Sequence, residues 1–250
     1  MENVLIEVCV DSVASAVAAE RGGAGRVELC SDLLEGGITP SIGLIELIRA
    51  RISIDLHVMI RPRPGDFCYS EEEIDVMRRD IEVAKSLQVD GVVFGVLEPS
   101  GRVDRERVRC LVDVARPLSV TFHRAFDMSS NLFEALEDIC ATGADRILTS
   151  GGEQNGSQGA QTIAQIVRAA AGRVTIMAGG GIRVSNVSRI VETTSVKEIH
   201  VGLSSAVASP MLYHNPRVSM GKALGSEYQR SQVLEADVRK LQRAISQAKA

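Results

Sequence analysis

Two stretches of this sequence carry the same alternation: Glu7, Cys9 and Asp11 are separated by Val8 and Val10, and Glu28, Cys30 and Asp32 by Leu29 and Ser31. A period of two is the mark of a strand with two unlike faces. Each stretch would therefore line up a carboxylate, a thiol and a second carboxylate. The same parity puts His57, Met59 and Arg61 on one face of a third stretch, Thr121 and His123 on a fourth, and His200 on a last. Glu7, Glu28, His57 and His123 are candidate general acids or bases, provided burial or neighbours tune them. Two thiolates held side by side, Cys9 and Cys30, could bind a soft ion such as Cu(I), with Met59 or a histidine as a further ligand.

Arginines and glycines suggest anion binding. Arg61, Arg63 and Arg124 can grip a carboxylate or phosphate with two N–H groups at once. Ala178-Gly179-Gly180-Gly181 follows one β-like run and Gly202-Leu203-Ser204 ends the next. Paired glycine loops with helix starts behind them form a phosphate cradle in many barrels; tight turns need the same glycines. The candidate anion-binding set is Arg61, Arg124, Gly180, Gly181 and Ser204. No lysine stands at the carboxyl end of a strand-like run, and Lys197 begins the last one at the opposite rim, which argues against Schiff-base chemistry.

Eight β-branched runs could position these groups: Leu5–Val10, Arg26–Cys30, Ile54–Ile60, Gly91–Val96, Leu118–His123, Arg146–Thr149, Val174–Ala178 and Lys197–Gly202. Helical patterns lie between them. Thr39-Pro40 reads as a cap followed by proline in the first turn. Ser70 with Glu73 reads as a capping box, with Ile74, Met77, Ile81 and Ala84 at helical spacing behind it. Asn131 opens and Gly143 closes another helix. Leu234, Val238, Leu241 and Ile245 mark a C-terminal helix. Alternating strands and helices require parallel pairing through crossovers. An open doubly wound sheet fits the same alternation, but eight such units in 250 residues better suit a closed (β/α)8 architecture, the TIM barrel, as a single domain over residues 1–250. An echo supports this: Gly23-Ala24-Gly25-Arg26-Val27 returns as Gly143-Ala144-Asp145-Arg146-Ile147, half a barrel later. The region from about 204 to 227 reads as an irregular arm, functional or for assembly.

Composition narrows the field. A net charge of −4, no tryptophan and 3% aromatic residues argue against a nucleic-acid partner. No apolar run approaches the ~20 residues that cross a membrane. The five cysteines form no CxxC pair, and Met1-Glu2-Asn3-Val4 does not read as a secretory signal, so reduced thiols in the cytoplasm are expected.

From the residues alone two readings of the polar face stand open for each set. Cys9 and Cys30 are either soft-ion ligands or small buried hydrophobes. The charged groups either form a locked ion-pair network or serve an enzyme, a lyase, isomerase or hydrolase acting on a small anionic substrate, phosphorylated or not.

Longer motifs bear on the choice. Glu7-Val8-Cys9-Val10-Asp11, Arg26 to Ser31, Glu35-Gly36-Gly37 with Thr39-Pro40-Ser41, Met59 to Arg63 with Gly65-Asp66-Phe67, and Thr121 to Asp127 resemble the CutC copper homeostasis family. Leu148 to Gly151, Gly179 to Gly181 and Ser209 to Asn215 add to the likeness, which runs in order along nearly the whole chain. The resemblance implies a TIM barrel that forms homo-oligomers in the cytoplasm and, in some eukaryotes, the nucleus. It also implies copper homeostasis, with Cu(I) bound through two cysteines that correspond to Cys9 and Cys30.

Overall fold

In the computed structural model, which describes residues 4–218 and 228–247, eight short parallel strands close on themselves. They are β1 (Leu5–Val10), β2 (Arg26–Leu29), β3 (Asp55–Met59), β4 (Gly91–Phe94), β5 (Ser119–Phe122), β6 (Arg146–Thr149), β7 (Thr175–Ala178) and β8 (Glu198–Val201). Each pairs with the next, and β8 pairs with β1 to complete the barrel. The expected TIM barrel is the fold observed.

Helices α1 (Val13–Arg21), α2 (Ile42–Arg49), α3 (Glu71–Ser86), α4 (Arg105–Ala115), α5 (Leu132–Thr142), α6 (Ala160–Ala170) and α7 (Val187–Thr194) return the chain from one strand to the next. Their ends follow from capping chemistry. The Ser70 and Glu73 capping box opens α3, and Asn131 and Gly143 bound α5. At α2 the cap is Ser41 rather than Thr39. The Thr39 hydroxyl instead accepts the Arg61 backbone N–H, which ties the loop after β2 to the end of β3. The last helix, α8 (Glu235–Gln247), buries Val238, Leu241 and Ile245.

Two separate apolar clusters reveal which way each strand faces. The large one holds Ile6, Val8, Val10, Val27, Leu29, Leu56 and Val58 and lies between barrel and helices. The small one, inside the barrel, joins Cys30, Met59 and Val93 with Cys9 and Leu33. Period-two parity therefore holds on β1, β2 and β3. It ends at Asp32, which is exposed with φ +50°, so Asp11 and Asp32 are not equivalent.

The stretch after β8 departs from the irregular arm expected there. Ser205–Ala208 forms β9, antiparallel to β10 (Gln229–Gln232). Residues 219–227 of the expected arm lie outside the described residues. β10 reaches over the barrel, and the Val233 backbone N–H donates to Ser15 at the start of α1.

Candidate functional site

Register sets the site. Across the closing seam, Glu7 pairs with His200 on one side and Arg26 on the other, and Cys9 pairs with Glu28. All these side chains point inward, so the interior is polar where most barrels of this kind are packed with branched hydrocarbons.

The lower layer is a closed ion-pair network. Arg26 binds both Glu7 and Glu198, and Arg146 donates to the same Glu198 carboxylate at 2.5 Å and to Thr121 at 3.3 Å. Two guanidiniums face two carboxylates, so the charges balance without solvent. His57 lies here as well, its Nδ1 4.0 Å from Glu7. Burial makes the charged ring unfavourable and lowers its pKa to about 4, so it is neutral. Sequence reading missed Arg26, Arg146 and Glu198 as members of this layer. Their inward parity was the available signal.

Above it runs a chain of short contacts. His200 Nδ1 lies 2.7 Å from Glu7 Oε1, and its Nε2 lies 3.8 Å from Glu28 Oε2. The Cys30 thiol donates to Glu28 at 3.4 Å, and the Cys9 and Cys30 sulfurs are 3.8 Å apart. Burial opposes a charged Glu7, but the His200 hydrogen bond and the Arg26 charge outweigh it and hold the carboxyl well below its usual range. Burial likewise opposes a charged His200, and the Glu28 and Glu7 carboxyls with the Cys9 thiol overcome it, holding the ring protonated. Glu28 goes the other way. Desolvation raises it to about 8 although the His200 charge pulls the other way, so Glu28 and His200 titrate together. The hydrogen bond with Cys30 lowers the Cys9 thiol to about 6, while Cys30 is pushed up. The two sulfurs thus share one proton near neutrality, and the first loss belongs to the pair.

The upper layer is a cavity of about 340 Å³ at the carboxyl ends of the strands. Cys9, Glu28, Met59 and His200 form one wall, and Arg61, Phe67, His123 and Arg124 another, with Ser231, Gln232 and Val233 of the hairpin at the rim. Gly91 and Gly95 make room for the two buried imidazoles. A Cβ at Gly91 would lie 2.5 Å from His57 Nε2, and one at Gly95 2.7 Å from His123 Nδ1. Glycine inside a strand is the signal of such close approach.

The acid/base candidates therefore separate. Glu28 and His123 border the cavity, whereas Glu7 and His57 lie in the layer below. Arg61 and Arg124 both border it, as does Ser204. Gly180 and Gly181, at φ +81° and +66°, are not among its lining residues. A Cβ at Gly180 would fall 3.0 Å from the Ser150 Cβ, so this glycine serves a left-handed turn packed against Ser150. Arg124 is held by Asp127 at 2.8 Å and Ser150 at 2.7 Å. Arg63 is occupied by Glu73 and the Cys68 carbonyl.

Two sets of donor atoms converge closely enough for a metal ion: Cys9, Glu28 and Cys30, and Glu7, Glu28 and His200, each within 4.8 Å of one another. The second set is already spent on internal ion pairing. The first is not. With metal–sulfur bonds of ~2.3 Å, sulfurs 3.8 Å apart subtend about 110° at a shared ion. Met59 packs beside them: a point 3.1 Å from Cys30 Sγ, where Gly37 would carry a Cβ, is 3.7 Å from Met59 Cε.

Comparison with known proteins places this site in a lineage. The model of the CutC family matches residues 4–205. The chain belongs to the CutC family. The copper homeostasis protein cutC homolog of Mus musculus is 49% identical over 225 residues, covering 90% of this chain and 83% of the mouse protein. The CutC family protein of Chromobacterium violaceum is 44% identical over 98% of this chain and 99% of its own. The crystal structure of CutC from Streptococcus agalactiae superposes with a TM-score of 0.75 at 33% identity, covering 79% of this chain and 97% of that one. Thiamine phosphate pyrophosphorylase from Pyrococcus furiosus, at TM-score 0.60 and 16% identity, shares the barrel fold. CutC membership agrees with the motif resemblance in the sequence, and among the described residues no helix is long and apolar enough to cross a membrane.

Proposed function

We propose that this CutC-family protein serves copper homeostasis by carrying Cu(I) as cargo on Cys9 and Cys30. The observation that carries this reading is the 3.8 Å separation of two sulfurs at the wall of an accessible cavity. Thiolate and thioether are the donors that a soft monovalent ion prefers, and Met59 stands beside the pair. Glu28 favours the same choice. It is the single hard oxygen donor of the set, too few for Mg²⁺ or Ca²⁺, which take six or more oxygen ligands. Cys9, the more readily ionised and the less buried of the two, is the entry ligand. The reading places the protein in a reducing compartment, the cytoplasm, where free thiols persist. It also takes the exposed Met211, Leu212 and Tyr213 after β9 as an assembly surface between copies of the chain.

Anaerobic titration of the reduced protein with Cu(I) against a competing chelator tests the copper site. One ion per chain, with affinity reduced at least a hundredfold in Cys9→Ser/Cys30→Ser, is the expected result; equal affinity in that double variant contradicts the reading.

A further inference from the structure

Copper leaves half of the cavity without an explanation. Arg61, 6% exposed, donates from Nη1 to the Glu35 and Gly37 carbonyls and from Nη2 to the Gly65 carbonyl, each at 2.9 Å. Among the described residues no carboxylate forms an ion pair with it; its buried Nε makes no close hydrogen bond, and the buried Tyr69 hydroxyl is a further hydrogen-bond neighbour of the guanidinium. His123, 4% exposed, is in the same condition. Its Nδ1 accepts the Ala125 backbone N–H at 3.2 Å, so a neutral ring carries its proton on Nε2, and that atom too is buried without a partner. Desolvation and the Arg61 charge lower the ring to about 3 and keep it neutral. A buried guanidinium with no counter-charge, beside a second unmet donor, is costly: an unsatisfied buried donor alone costs ~1–3 kcal/mol, more when charged. Both side chains line the cavity and both pack against the Phe67 ring, 5.1 Å from the Arg61 guanidinium and 4.9 Å from the imidazole.

The missing partner must accept from both donors and must be negative. Five N–H groups belong to an arginine, and three are spent on carbonyls. Of the other two, on Nε and Nη2, the Tyr69 hydroxyl engages one, which leaves one guanidinium N–H and the His123 Nε2–H for the two oxygens of a planar group. Leu33, Met59, Phe67 and Leu148 line the same cavity. Those walls suit an apolar body. A doubly charged phosphate would meet a single uncompensated cation, since the charge of Arg124 is already met by Asp127.

We propose that the CutC barrel mouth binds a small organic carboxylate with an apolar body, its oxygens on Arg61 and His123 and its body against Phe67, Met59 and Leu148. With the Phe67 ring in place neither nitrogen reaches solvent, so the ring moves aside as the carboxylate enters. The site shares the cavity and Met59 with the sulfurs but uses neither thiol, so it stands whether or not they hold copper.

Calorimetric titration of the metal-free, reduced protein with benzoate, and with benzamide as its neutral counterpart, tests this. Benzoate is expected to bind one per chain and benzamide at least tenfold more weakly. His123→Asn keeps an acceptor for the Ala125 N–H and removes the Nε2 donor; it is expected to weaken benzoate about tenfold, as is Arg61→Lys, which keeps the charge and loses the planar edge. Cys9→Ser/Cys30→Ser is expected to bind benzoate as the parent does, which separates this proposal from the copper reading. No benzoate binding at ~10 mM, far above the ~1 mM that corresponds to about −4 kcal/mol, overturns the proposal. So does equal binding of benzamide, binding of inorganic phosphate in place of benzoate, or unchanged affinity in both folded variants.

Discussion

His200 Nδ1 meets the Glu7 carboxylate at 2.7 Å although 193 positions separate them. That contact spans the seam where β8 joins β1, and Glu7 also binds Arg26 on β2 and faces His57 on β3. One carboxylate thus balances groups from three other strands. Beneath the sulfurs it fixes His200, which in turn stands 3.8 Å from Glu28.

Glu7→Gln keeps the shape of this side chain and removes its charge. Arg26 would retain only Glu198, and His200 would lose its closest counter-charge. Breaking a buried pair from one side costs ~3–5 kcal/mol, and urea unfolding at pH 7 is expected to show a loss of that order. A loss below about 1 kcal/mol would mean that the lower layer does not stabilise the barrel.

Acid should weaken the fold before most carboxylates are protonated. His57 and His123 titrate near 4 and 3 in the folded chain, against 6.5 when unfolded. Their depressed pKa values give stability that is complete above pH 6.5 and lost as pH falls toward the folded values. In that window the unfolded chain binds protons that the folded chain refuses, at ~1.4 kcal/mol per pH unit for each ring. Glu28, raised to about 8, holds in the folded chain a proton that the unfolded chain takes up only near 4.5, and so offsets one ring; urea unfolding measured from pH 6 to 5 is expected to show a net slope of about one ring, and close to none in His123→Asn. A flat profile would contradict neutral, buried rings.

Gly37 sits at φ +89° against the sulfur site, and an added Cβ would lie 3.1 Å from Cys30 Sγ. Gly37→Ala is expected to cost ~1–3 kcal/mol through the strained backbone and to displace the Cys30 sulfur, weakening Cu(I) more than tenfold. Chelator competition on the folded variant checks this; unchanged affinity would mean that the glycine serves the turn alone.

Most of the barrel could be read from alternation. Val8, Val10, Val27 and Leu29 fill the layer beneath the helices, which turns Glu7, Cys9, Glu28 and Cys30 inward as period two demands. Parity also found His200, but not its role, because Glu7 becomes its neighbour only when the last strand closes on the first. Asp32 broke the pattern because the backbone turns left-handed just after Cys30. Thr39 resembled a cap, yet tertiary pairing claimed its hydroxyl for Arg61 while Ser41 capped the helix. The β9–β10 hairpin escaped notice since Gln229–Gln232 is polar throughout and its partner strand lies about twenty residues earlier. Carboxylates of one type also shifted in opposite directions: Glu7 is held low by His200 and Arg26, and Glu28 is raised by desolvation. Residue identity carries no trace of that difference.

X-ray absorption at the copper edge on the anaerobic Cu(I)-loaded protein tests the sulfur site most directly. Two thiolate sulfurs bound to each ion at ~2.3 Å are expected, with that shell lost in Cys9→Ser/Cys30→Ser. A first shell made only of nitrogen and oxygen, or a sulfur shell that persists in the double variant, would contradict copper binding at Cys9 and Cys30.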